Sequence, residues 1–221
     1  MVVGIGHTDV VLLADLVATS TAVASTRARS TKTAALADLL ARLSPDEIEP
    51  AVGFLTGEAR QGRIGVGWAT VFKLEVAPAA VPSLTIADID RVLDRIQATT
   101  GSGSTAGRQD LLRDVFDRAT AAELDFLRRL LVGELRQGAL AGLMADAVAK
   151  AASVPAALVR RAAMLSGDLG RVAVVALTAG EAGLQDIGLE VGRGVQPMLA
   201  SGAPDTGGEG SCAPWPEPPR A

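Results

Sequence analysis

Apolar residues return at every third or fourth position along most of this chain, the spacing that gives a helix one buried face. Leu36, Leu39 and Leu40 set one such face, and Leu112, Val115 and Phe116 set another 76 residues later. The interval extends beyond them. Leu55-Thr56-Gly57-Glu58-Ala59-Arg60-Gln61-Gly62 returns as Leu131-Val132-Gly133-Glu134-Leu135-Arg136-Gln137-Gly138, and Ser44 with Glu47 returns as Thr120 with Glu123. Each hydroxyl and the acid three residues on have capping-box spacing, in which the hydroxyl receives a helix N–H and the carboxylate receives the cap's own. A self-similarity at fixed separation predicts two equivalent structural units.

Each unit reads as a helix, a capped turn, a second helix ending in the Gly-Glu-x-Arg-Gln-Gly segment, and a further short helix. These cover residues 31–43, 45–59 and 66–74 in the first unit and 108–118, 121–136 and 142–152 in the second. Pro45 suits the first position of its helix, whereas Pro50 predicts a bend inside it. Helical patterns over 12–24 and 86–97 precede the units, a proline-bearing linker over 76–82 separates them, and 155–164 and 169–177 continue the helical character. From Ile187 the alternation of Ile187, Leu189 and Val191 with Gly188, Glu190 and Gly192 predicts a short extended segment. After Ser201 glycine and proline dominate, and such a stretch buries too little apolar surface to offset its ordering entropy. The predicted fold is all-α, with an N-terminal extension over 1–10 and a helical domain of two pseudo-symmetric units over 11–185. An extended linker over 186–200 and a disordered tail over 201–221 follow.

Composition narrows the chemistry. The 221 residues are 48% hydrophobic, ample for a core, yet no run reaches the ~18 uncharged apolar residues of a membrane span. The single histidine, His7, and single cysteine, Cys212, leave no zinc site of Cys and His ligands and no intramolecular disulfide. His7 lies in a poorly anchored terminal stretch, which removes serine and cysteine triads that depend on it. With no signal sequence at the start, the predicted compartment is the cytoplasm. A net charge of −4 gives no global pull toward a polyanion, so a nucleic-acid argument has to be local.

Two pairs of segments offer local chemistry. Gly62, Arg63, Gly65 and Gly67 join one predicted helix to the next, with Gly138 and Gly142 in the equivalent place. Glycine-rich corners at helix starts present backbone N–H groups to phosphate, and they equally serve as plain caps. Without the Lys-Ser/Thr of a P-loop or a preceding strand, they are no nucleotide-binding loop. Arg27, Arg29, Thr31 and Lys32 lead into a helix, and their counterparts run from Gly101, Ser102, Gly103 and Ser104 to Arg108. Such clusters are either solvated surface or phosphate contacts, and two equivalent loops suit the two strands of a duplex. All but three of the 21 Lys and Arg residues are Arg, which matches phosphate contact and equally a GC-rich genome. Glu58 and Glu134, followed by Arg60 and Arg136, read as structural ion pairs or caps and not as a catalytic pair.

The segments Gly62-Arg63-Ile64-Gly65-Val66-Gly67-Trp68, Gly133-Glu134-Leu135-Arg136-Gln137-Gly138, Met144-Ala145-Asp146-Ala147-Val148 and Arg193-Gly194-Val195-Gln196-Pro197-Met198-Leu199-Ala200 carry a family resemblance. From Leu12 to Ala200 the chain resembles the N-terminal helical DNA-binding domain of ATP-dependent DNA ligases, most closely the actinobacterial ones. The resemblance implies an all-helical domain with internal pseudo-twofold symmetry that grips the minor-groove side of nicked double-stranded DNA through loops and helix starts, without sequence preference. Residues expected to touch DNA are Arg27, Arg29, Thr31, Lys32, Gly62, Arg63, Gly65 and Gly67, with Gly101, Ser102, Gly103, Ser104, Arg136 and Gly138. Leu140 departs from the family, whose members often carry a basic residue there.

The family's catalytic lysine, in a Lys-x-Asp-Gly motif that attacks ATP, lies downstream in its members. Here Lys32, Lys73 and Lys150 are the lysines, and none precedes x-Asp-Gly. The chain is therefore expected to be inactive alone and to need no cofactor itself, ATP and magnesium belonging to the full-length family. From Gly202 onward nothing resembles the family, which points to a truncation or frameshift, and Val11 offers an alternative start of translation to Met1. The expected partner is nicked duplex DNA, bound by a monomer away from membranes. The alternative reading is a helical protein-interaction module that does not bind DNA.

Overall fold

A computed structural model describes residues 10–62, 64–135 and 140–189. Among them are ten helices: α1 (Leu13–Ser25), α2 (Arg29–Leu40), α3 (Pro45–Thr56), α4 (Trp68–Lys73), α5 (Ile86–Ala98), α6 (Ser104–Phe116), α7 (Ala121–Leu131), α8 (Leu140–Ala152), α9 (Ala156–Ser166) and α10 (Leu169–Gln185). No strand is present among the described residues, so the all-α expectation holds. The predicted tail over 201–221 and all but residues 186–189 of the predicted linker lie outside the described residues.

Both capping boxes form. The Glu47 carboxylate accepts from the Ser44 N–H at 3.2 Å and its hydroxyl at 2.7 Å, and Glu123 accepts from the Thr120 N–H and hydroxyl, each at 2.8 Å. The helices they open end sooner than the apolar spacing predicts. Gly57 and Gly133, at φ 84° and 73°, turn left-handed. The Glu58 N–H then returns to the Gly53 carbonyl and the Glu134 N–H to the Arg129 carbonyl, both at 2.8 Å. These are matched Schellman terminations, which satisfy carbonyls that would otherwise be orphaned at the helix end. The Gly-Glu-x-Arg-Gln-Gly segment is thus a terminator and not the last helical turn. Pro50 sits buried inside α3, which nevertheless runs on to Thr56. α6 starts at Ser104, four residues before the expected position, and α10 continues to Gln185 through a break at Gly180.

The repeat extends further upstream than the 76-residue interval reveals. Leu13, Leu16, Ser20 and Val23 are buried on α1, and Ile86, Ile89, Leu93 and Ile96 on α5, at a separation of 73 residues. The three-residue difference is absorbed by the longer α5–α6 connection. Leu12 and Thr85, each just before its helix, pair with one another as an antiparallel bridge, and the Leu13 N–H donates to the Leu84 carbonyl at 2.8 Å.

Several helix contacts recur in matching pairs. α1 rests on α2 as α5 rests on α6, α1 meets α7 as α5 meets α3, and α3 touches α8 as α7 touches α4. Each first helix therefore buries part of its apolar face against the other unit. α2 packs most extensively on α8, and α10 closes over α3, α8 and α9. One continuous core results, with Phe54, Phe116 and Phe126 fully buried in it. The linker is pinned to this body where the Ala79 N–H meets the Ala119 carbonyl at 2.8 Å.

Candidate nucleic-acid interface

The helix starts fall into two kinds. α1, α3, α5 and α7 each carry an acidic side chain in the first turn, folded back on the preceding N–H: Asp15 on Leu12 at 3.0 Å, Asp88 on Thr85 at 3.1 Å, and the Glu47 and Glu123 boxes. α2 and α6 have no acid in the first turn and no side-chain cap, and α9 and the short α4 are built likewise. A carboxylate at a helix start occupies the N–H groups and the positive end of the dipole, so its absence leaves both open to an external anion. The sequence-predicted site residues that are described sit at or just before three of these open starts, α2, α4 and α6.

Arg27, Arg29, Thr31 and Lys32 surround the start of α2, the arginines and threonine exposed and Lys32 half-buried. Arg29 is not free: its Nη2 donates to Asp146 on α8 at 2.6 Å, and Arg160 on α9 meets the other oxygen of the same carboxylate. Partial burial favours the protonated form of Asp146, but the two guanidiniums outweigh it and hold the group below the usual carboxylate range. One carboxylate thus fixes two arginines, a neighbour of the basic loop that sequence reasoning missed. Gly101 and Gly103, at φ 86° and 82°, shape the corner before α6, with Ser102 and Ser104 between and after them. Gly62 and Gly65 are left-handed as well, and Gly67 is the N-cap of α4. Arg63, Arg136 and Gly138 lie outside the described residues.

Of the ion pair or cap expected of Glu58 and Arg60, the pair does not form. Arg60 forks onto Asp90 at 2.7 and 2.6 Å and also reaches Asp94, both on α5. Partial burial works against its charge, yet these carboxylates raise its pKa still further above the neutral range. Gln61 adds bonds to Asp90 and Asp94 at 2.8 and 2.9 Å. The ends of α3 and α7 also meet, since a Cβ on Gly57 would lie 2.6 Å from the Leu135 carbonyl. Beside them, a cleft of about 850 Å³ is lined by Gly57, Glu58, Gly65, Trp68, Leu130 and Gly133. Trp68 stands 60% exposed at its rim, stacked on Phe72 at 4.8 Å, and the Arg128 guanidinium lies between Phe72 and Phe116. No helix among the described residues is long and apolar enough to cross a membrane.

Comparison with known proteins agrees with the resemblance. The family described as "DNA ligase N terminus" matches residues 71–149. A probable DNA ligase of Rhodococcus jostii is 52% identical over 192 residues, covering 87% of this chain and 38% of its relative. The probable DNA ligase of Pseudarthrobacter chlorophenolicus is 55% identical over 189 residues, with 86% and 37% covered. That of Saccharopolyspora erythraea is 53% identical over 193 residues, with 87% and 38% covered. The chain spans under two fifths of the length of these relatives.

Proposed function

The chain is a relative of the N-terminal part of actinobacterial DNA ligases, and on that premise we propose that it is the DNA-gripping part of an ATP-dependent ligase, holding nicked duplex by its phosphates without regard to sequence. The observation that carries this reading is the division of helix starts. Where basic and hydroxyl residues cluster, at α2 and α6, no acid occupies the first turn, whereas at α1, α3, α5 and α7 one does. Those two open starts belong to equivalent helices of the two units, an arrangement that suits the two strands of a duplex. Arg27, Arg29, Thr31 and Lys32 would serve one strand, and Gly101, Ser102, Gly103 and Ser104 the other. Gly62, Gly65 and Gly67 would add backbone donors, together with Arg63, Arg136 and Gly138.

The sequence does not fit an adenylation site, because none of its lysines stands in Lys-x-Asp-Gly. No step of nick sealing is assigned to its residues.

The test is fluorescence anisotropy with a labelled nicked duplex over a salt series. Binding should weaken by about 0.9 log units per log unit of salt for each phosphate neutralised. Replacing Arg27, Lys32 and Arg63 together with Ala should abolish it, whereas a protein-interaction module would show no binding from the outset. Absence of binding by the wild-type chain at low salt refutes the proposal.

A further inference from the structure

Arg108 closes the second basic loop in the sequence, where it invites a phosphate contact. The structure turns it inward. Its Nε donates to the Ile96 carbonyl at 3.2 Å and its Nη2 to the Thr99 carbonyl at 2.7 Å, both at the C-terminal end of α5. There a cation is favoured, because helix carbonyls lack partners and the dipole is negative. The third contact crosses between the units: Nη1 donates to the Gly65 carbonyl at 3.2 Å. Gly65 stands at φ +69°, a conformation that favours glycine, and a Cβ there would lie 2.6 Å from Nη1, so a side chain would push the guanidinium aside. The same segment is tied at its beginning, where Gln97 of α5 donates to the Gln61 carbonyl at 2.7 Å and Arg60 grips Asp90. Arg108 itself sits one turn into α6, directly behind the Gly101–Ser104 corner.

We propose that Arg108 is a positioning residue that locks the Gly65–Gly67 segment of the first unit and the Gly101–Ser104 corner of the second into one phosphate-binding surface. This rests on the DNA-binding reading above and adds to it that the two units present a single preorganised face and not two independent loops. The donors so held are neutral N–H and O–H groups, with the arginine committed to the protein's own carbonyls.

Salt-dependent anisotropy with nicked duplex separates the possible roles. For Arg108→Ala the dissociation constant should rise about tenfold at fixed salt, the worth of one or two neutral hydrogen bonds, while the slope of log affinity against log salt stays at the wild-type value. A slope shallower by about 0.9 would make Arg108 a phosphate ligand, and an unchanged dissociation constant would leave it only structural; either result overturns the proposal. If wild type itself does not bind, the DNA-binding reading falls and this inference with it, whereas binding by wild type with an indifferent Arg108→Ala removes this inference alone. Arg108→Lys keeps the charge and the aliphatic stem but cannot make the three-way fork, and it should lose affinity as Ala does. It carries the test if circular dichroism finds Arg108→Ala unfolded at the assay temperature, and wild-type affinity in Arg108→Lys would overturn the assignment.

Discussion

Gly57 and Gly133 hold the same place in the repeat and the same left-handed backbone, but their surroundings differ. A Cβ on Gly133 meets nothing within 4 Å, whereas one on Gly57 lies 2.6 Å from the Leu135 carbonyl. Gly133→Ala should therefore cost only the left-handed strain, about 1–2 kcal/mol. Gly57→Ala should cost that plus an overpacking penalty of about 1–3 kcal/mol; equal losses in urea denaturation would contradict the close contact between the two helix ends. Asp88 makes a second residue-level case. Partial burial favours its protonated form, but hydrogen bonds from the Thr85 backbone and side chain, with Arg118 and Arg91 nearby, hold it below the usual carboxylate range. A depressed native pKa contributes stability that is fully present above the unfolded value, about 4, and disappears as pH falls through the native one. Asp88→Asn should accordingly destabilise the protein at pH 7, with the gap to wild type closing below about pH 4. A gap that stays constant in denaturation curves from pH 7 to pH 3 would show that the charge contributes nothing.

At the scale of elements, a helix start can serve its own helix or a ligand, and the two uses compete for the same N–H groups. Ala28, the N-cap of α2, has the extended backbone of a good cap, φ −73° and ψ 113°, but no side chain to accept a bond. Ala28→Asp should gain about 1 kcal/mol of stability through capping and the helix dipole. It should also weaken binding of nicked duplex, by placing a negative charge where phosphate is proposed to sit. A variant that is both more stable and tighter-binding would exclude α2 from the interface. The helices themselves were legible because apolar spacing and capping boxes are local signals. Their ends were not, since Gly57 and Gly133 stop helices while apolar residues continue on either side. The kinship of α1 and α5 was hidden by the longer α5–α6 connection and by Ser20 standing where Leu93 stands in the second copy. Candidate loops were visible from their glycines and arginines. The inward turn of Arg108 was not, because its partner Gly65 is 43 residues away.

The whole molecule turns on where each unit hides its apolar surface. Were the units independent repeats, α1 would pack only within the first and α5 only within the second. Instead α1 reaches α7, α5 reaches α3, α2 takes most of its packing from α8, and the residues before α1 and α5 pair with one another. Severing the chain at the 76–82 linker would strip α1 and α5, whose Leu13, Leu16, Ile86 and Ile89 are buried at 2% exposure or less, of the helix each meets in the other half. Each such side chain is worth about 1.5–3 kcal/mol when buried, and a folded domain has only about 5–15 kcal/mol in hand. A few stranded residues therefore suffice to unfold either half. Fragments covering residues 10–76 and 77–189 should each give little helical signal by circular dichroism and no cooperative thermal transition. Mixed at equal concentration, they should recover helicity together, while the intact chain melts in one step. A fragment that melts cooperatively alone would mean that the reciprocal packing is incidental. It would also undercut the single binding face, since loops from opposite units stay in register only if neither unit folds without the other.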